Sequence, residues 1–141
     1  MPLEGFGVGW SGDLQKGLYD YQKGDYAAAF KEWTPLAEEG DKEAQYFIGF
    51  MYEYGNGIPG DYKMAMKWYT LSAEQGYSNA QTNLAVMYAL GDGVNKDRVY
   101  AHMWANIAYS NGNKGGKNLK DKLIKMMIPS QIEEAERLAR E

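Results

Sequence analysis

The sequence predicts an all-α protein: an α/α solenoid, or superhelix, of three helix-pair repeats followed by C-terminal capping helices. Three observations lead there. Ala44–Gly76 aligns without gaps on Ala80–Gly112, thirty-six residues later, with identities at Ala44/Ala80, Gln45/Gln81, Met51/Met87, Tyr52/Tyr88, Gly55/Gly91, Gly57/Gly93, Asp61/Asp97, Ala65/Ala101, Trp68/Trp104 and Gly76/Gly112. A period of that length marks a stacked supersecondary unit. Each copy holds two apolar segments of helical period joined by a Gly-x-Gly loop. Each second segment starts at an aspartate and stops at a glycine, the chemistry of a helix cap and a left-handed exit.

The elements follow in order. A first, shorter copy spans residues 13–40, because Gly24, Asp25, Tyr26, Ala29 and Gly40 precede Gly60, Asp61, Tyr62, Ala65 and Gly76 by the same interval. Its opening helix, Asp13 to Lys23, carries Leu14, Leu18 and Tyr21 at helical spacing. Asp25 caps the next helix, Tyr26 to Glu38, which Pro35 is expected to bend or shorten. The second copy, residues 43–76, opens with a helix from Glu43 to Tyr54 that is apolar nearly all round, so it has neighbours on more than one side. Gly55, Gly57 and Pro59 form its loop, and Asp61 caps a helix from Tyr62 to Gln75. The third copy, residues 79–112, repeats this with Asn79 to Leu90, the loop Gly91 to Lys96, the cap Asp97, and Arg98 to Ser110. Alanines and glycines recur where helices must approach: Ala44, Gly49, Ala65, Ala80, Ala85 and Ala101.

After Gly112 the position in register with Ala80 is Gly116, so no fourth full copy is expected. Residues 117–141 are read as a cap instead. One helix runs from Asn118 to Met127 with Leu119, Leu123, Ile124 and Met127 inward. A second, Gln131 to Arg140, buries Ile132 and Ala135 and is introduced by Ser130 and Glu133 at capping-box spacing. Residues 13–141 thus form a single repeat domain. Residues 1–12, rich in glycine and without periodicity, are a flexible lead or an artificial leftover.

Composition narrows function. A net charge of −4 and a pI near 5.1 argue against general nucleic-acid or anionic-membrane binding, where affinity comes from neutralised phosphates. With no cysteine there are no disulfides, thiol nucleophiles or thiolate metal sites. No apolar run reaches the roughly 18 residues of a membrane-spanning helix.

Few residues suggest chemistry. His102, the single histidine, stands in register with Met66 and lacks a second histidine or a nucleophile motif, so it is read as a packing or surface residue. Asp92, Asn95 and Asp97 resemble part of a calcium loop. However, the sixth residue from Asp92 is Asp97 and the twelfth is Met103, where such a loop needs glycine and glutamate. A turn followed by a cap accounts for them, and no metal or other cofactor is expected. The Gly-x-Gly loops follow helices rather than strands, which removes a dinucleotide reading. Lys114, Lys117, Lys120, Lys122 and Lys125 against Asp121 make one basic stretch, read as the solvated face of an amphipathic helix.

The spacing resembles the Sel-one-like repeat family, relatives of the tetratricopeptide repeats. Its pattern of alanine, apolar-Gly, Tyr, Gly-x-Gly-apolar, Asp, Ala, Trp and closing Gly is met by Ala44, Ile48-Gly49, Tyr52, Gly55-Asn56-Gly57-Ile58, Asp61, Ala65, Trp68 and Gly76. The third copy meets it with Ala85 in place of the helix glycine, and the first, with Gly17, Gly24, Tyr26, Ala29 and Trp33, is closer to a plain tetratricopeptide unit. Met127, Pro129, Gln131-Ile132 and Ala135 resemble the terminal helix of small exported bacterial members, though Ile128 replaces a hydroxyl cap. On that ground a periplasmic or exported location is favoured over the cytoplasm.

The resemblance implies a noncatalytic scaffold or adaptor that binds a peptide or partner protein in its concave groove. In related solenoids the first helix of each pair lines that groove. Carried over by register, the lining is Leu14, Leu18 and Tyr21, then Tyr46, Phe47, Phe50 and Tyr54, then Asn79, Asn83 and Val86. Aromatic anchors beside amide side chains suit peptide capture. Burial of the same rings by the curl of a short superhelix, or by the segment before Asp13, is the other reading. Two further functions stand as alternatives: a secreted hydrolase of the cell-wall or β-lactam type using carboxylates such as Glu53 and Asp92, and a self-associating structural protein such as a homodimer.

Overall fold

The computed structural model describes residues 12–141, so the glycine-rich lead expected over residues 1–12 lies, but for Gly12, outside them. Eight α-helices are present among the described residues, and no strand: α1 (Leu14–Gln22), α2 (Tyr26–Glu38), α3 (Lys42–Tyr54), α4 (Tyr62–Glu74), α5 (Ser78–Leu90), α6 (Arg98–Ser110), α7 (Lys114–Ile124) and α8 (Pro129–Arg140). They form two compact units. One ends at Leu71 and the other runs from Ser72 to Glu141.

In the first unit every helix start is a carboxylate accepting an amide hydrogen of the first turn: Asp13 from Lys16 N, Asp25 from Ala28 N, Asp41 from Ala44 N and Asp61 from Met64 N, at 2.9–3.2 Å. Asp41 moves the start of α3 one residue ahead of the expected Glu43. Gly55 then ends α3 in the left-handed region, at φ 65°. Pro35 does not shorten α2, which continues to Glu38; a proline three residues from a helix end forfeits one amide bond that flanking packing outweighs. The core gathers Ala29, Trp33, Ala37, Ala44, Ile48 and Met51.

In the second unit Ser78 opens α5, one residue before the expected Asn79, and Asp97 caps α6 through Tyr100 N at 3.0 Å. That bond is the turn-and-cap role read for Asp97. Ala80, Leu84, Ala85, Met87 and Ala101 are buried, and Ala101 joins Leu123, Met127 and Ala135 in one cluster.

The C-terminal part corrects the sequence reading in three places. The seventh helix starts at Lys114, not Asn118, because Asn113 caps it by accepting from Gly116 N at 3.2 Å. Its start therefore keeps the interval of Lys42 and Ser78, and a first helix of a fourth copy is present in register. Second, Ile124 faces solvent at 37% exposure while Leu123, in register with Met51 and Met87, is buried at 1%. Third, Ser130 and Glu133 do not form the capping box. Pro129 takes the first helical position of α8, and the Gln131 side chain accepts from Ile128 N at 3.0 Å.

Candidate functional site

An apolar pocket of about 210 Å3 opens on the first unit, lined by Leu18, Tyr21, Trp33, Tyr46, Phe47 and Phe50. Three helices build it. Leu18 and Tyr21 come from α1, Trp33 from α2, and the other three from α3. The floor is set by Trp33, whose ring stacks on Phe47 at 4.6 Å and whose Nε1 donates to the Leu14 carbonyl at 3.1 Å. That ring lies so close to Gly17 that a Cβ there would sit 2.2 Å from Nε1. Tyr21 crosses Phe50 edge to face at 6.4 Å, and its hydroxyl donates to Asn56 Oδ1 at 3.0 Å, tying α1 to the Gly-x-Gly loop. Tyr46 leans on both Phe47 and Phe50, at 5.7 and 6.2 Å.

Tyr54, one turn beyond Phe50, meets its ring at a 45° tilt with centroids 4.5 Å apart and remains 60% exposed. Its phenol is held above the usual tyrosine range, first by the neighbouring Glu53 carboxylate and then by burial. Burial raises Tyr21 likewise. Glu53 itself accepts a hydrogen bond from the Tyr69 hydroxyl at 2.7 Å, a packing role for one of the two carboxylates named for hydrolysis.

Of the ten partner residues read from the sequence, five (Leu18, Tyr21, Tyr46, Phe47 and Phe50) meet in this pocket, and Tyr54 flanks Phe50. Leu14 packs against the core and is not part of the pocket wall. Asn79, Asn83 and Val86 belong to α5 in the second unit, where Asn79 Oδ1 accepts from the Asn113 side chain at 2.9 Å. Trp33 is the wall residue that periodicity missed. Its signal was the small residue that faces it: Gly17 stands to Trp33 as Gly49 stands to Tyr69, whose ring would lie 2.7 Å from a Cβ at residue 49.

Comparison with known proteins accords with this architecture. The Sel1 repeat model matches residues 42–77 and 78–113, just over half of the chain. No curated protein matches. Among solved structures, a protective antigen of uropathogenic Escherichia coli strains displaying an SLR fold is 29% identical, with a TM-score of 0.86 over 89% of this chain and 28% of that one. A Sel1 repeat protein from Oxalobacter formigenes is 28% identical, with a TM-score of 0.75 over 79% of this chain and 46% of that one. The chain thus spans less than half the length of either. With two repeats matched in tandem and the helix-pair architecture shared, the chain belongs to the Sel1 repeat family.

Proposed function

We propose that the chain is a noncatalytic protein-interaction module that captures a peptide segment of a partner through the aromatic pocket of its first unit. Sel1 repeat proteins generally act as protein-interaction scaffolds, and a repeat of this kind offers its partner a surface rather than a reaction centre. The observation that carries the reading is the convergence of five aromatic rings on an open pocket large enough for one side chain. Rigid aromatic walls give contact area at small entropic cost, the usual make-up of an interface hot spot. Asn79, Asn83 and Val86 are proposed as further partner contacts on the second unit, with the amides serving the backbone of an extended segment. Residues 13–141 are proposed to serve as one repeat domain.

A displayed random-peptide library tests this. Enriched peptides should lose most of their affinity for Phe50→Leu while that variant keeps the parent's melting midpoint. If no peptide is enriched, and Tyr46→Ala and Phe50→Ala each cost about 3 kcal/mol of stability, the rings serve the core and not a partner.

A further inference from the structure

The charge around the pocket says which side chain enters it, on the premise that it captures a peptide at all. Between Asp13 and Tyr54, the stretch holding every wall residue, nine carboxylates stand against four lysines, a net charge of −5. The whole chain carries −4, so the acidity belongs to this region and not to the molecule at large. Lys16 pairs with Asp20 and Glu32, at 3.0 and 3.4 Å, contacts already inside that net charge. Glu43, exposed, lies three and four residues before Tyr46 and Phe47 and so on their face of α3. The Glu53 carboxylate raises the Tyr54 phenol beside Phe50.

The wall itself has no charged group and five aromatic rings, whose faces carry the negative end of a quadrupole. An uncharged aromatic wall carried by a net-negative stretch of chain favours a weakly hydrated cation over both an anion and a neutral chain. A lysine ammonium is a strongly hydrated point charge and would surrender that hydration for few acceptors. A guanidinium is planar, delocalised, less hydrated and stacks on aromatic faces. We propose that the pocket takes the side chain of an arginine within a basic segment of the partner, with neighbouring positive residues meeting the carboxylates around it.

Three acetylated and amidated peptides, Ala-Lys-X-Lys-Ala with arginine, citrulline or leucine at X, separate the possibilities when titrated into the full chain by calorimetry. Citrulline keeps the shape of arginine and removes its charge. The arginine peptide should bind about tenfold more tightly than the citrulline peptide. Its affinity should fall as sodium chloride is raised, and Phe50→Leu should erase the preference. Glu43→Gln, at an exposed position with no expected effect on folding, should weaken the arginine peptide about twofold, as loss of a rim charge does. A leucine peptide that binds as tightly as the arginine peptide, and loses affinity in Phe50→Leu, overturns the arginine assignment and leaves peptide capture standing. Absence of binding by all three overturns the arginine assignment, and if the displayed library also yields no pocket-dependent peptide, capture falls with it.

Discussion

Gly49 is small because of what it faces. A Cβ at that position would lie 2.7 Å from the Tyr69 ring, closer than packed atoms tolerate. In the third copy Ala85 replaces the glycine, and the residue in register with Tyr69 is Ala105; both are fully buried. The two positions change size together, so the glycine of the repeat answers a large side chain on the second helix. Gly49→Ala should therefore cost about 1–3 kcal/mol in urea denaturation, as overpacking does. In a Tyr69→Ala background the same change should cost nothing or stabilise, a coupling visible in a double-mutant cycle. Additive losses would contradict this account.

His102 is also understood by what surrounds it. It is fully buried, and neither ring nitrogen has a hydrogen-bond partner among the described residues. Burial, and then the Lys120 charge, hold its imidazole below the usual histidine range, with Glu136 opposing them. Above about pH 6.5 the ring is neutral in both folded and unfolded chains and pH has no purchase on it. Below that value the unfolded chain takes up a proton that the folded one resists, so stability falls as pH drops toward the lowered folded-state value. His102→Met, which installs the residue found in register at Met66, should flatten the melting midpoint between pH 7 and pH 5. A parent protein whose midpoint is just as flat would count against the assignment.

Among the elements, the recurring device is a glutamine near the start of a first helix that reaches back to the last turn of the preceding one. Gln45 Nε2 donates to the Ala37 carbonyl at 3.2 Å, and Gln81 Nε2 to the Ala73 carbonyl at 3.0 Å. Both glutamines are buried. Each carbonyl also accepts from an amide of the following turn, Gly40 N at 3.1 Å and Gly76 N at 2.9 Å, so the glutamine fills its second lone pair and satisfies its own buried amide. Gln45→Ala should cost about 0.5–1.5 kcal/mol, the net worth of one hydrogen bond, because the Ala37 carbonyl keeps the Gly40 amide and loses only its second donor. Thermal or chemical denaturation of the variant measures it, and a change within a few tenths of a kcal/mol would show water taking the place of the amide. In α7 the register position is Lys117, exposed and paired with Asp121 at 2.8 Å, so the device ends there.

For the molecule as a whole, the second unit is closed by α8, whose Ala135 and Ile132 pack against Leu123, Met127 and Ala101. A terminal helix that covers the last apolar face is what a stack of repeats requires. A chain ended after Ile128 should melt at least about 5 °C lower than the intact protein and bind a hydrophobic dye, since buried apolar side chains become wet. An unchanged midpoint without dye binding would mean that α8 covers nothing of consequence.

The division between what could be read and what could not follows from the range of the interactions involved. The paired helices, the aspartate caps at Asp25, Asp61 and Asp97, the glycine exits and five of the six pocket-wall residues were legible in the residues alone, because each rests on chemistry repeated within a few residues or at a constant interval. It took packing between distant residues to show that α7 runs through Gly115 and Gly116, that Ile124 turns outward, that Trp33 rather than Leu14 walls the pocket, and that His102 is sealed away. At Gly116 the reason is plain. Glycine is a poor helix former by local preference, but a Cβ there would lie 2.7 Å from the Ala105 carbonyl oxygen, so close packing between α6 and α7 requires the residue that propensity disfavours.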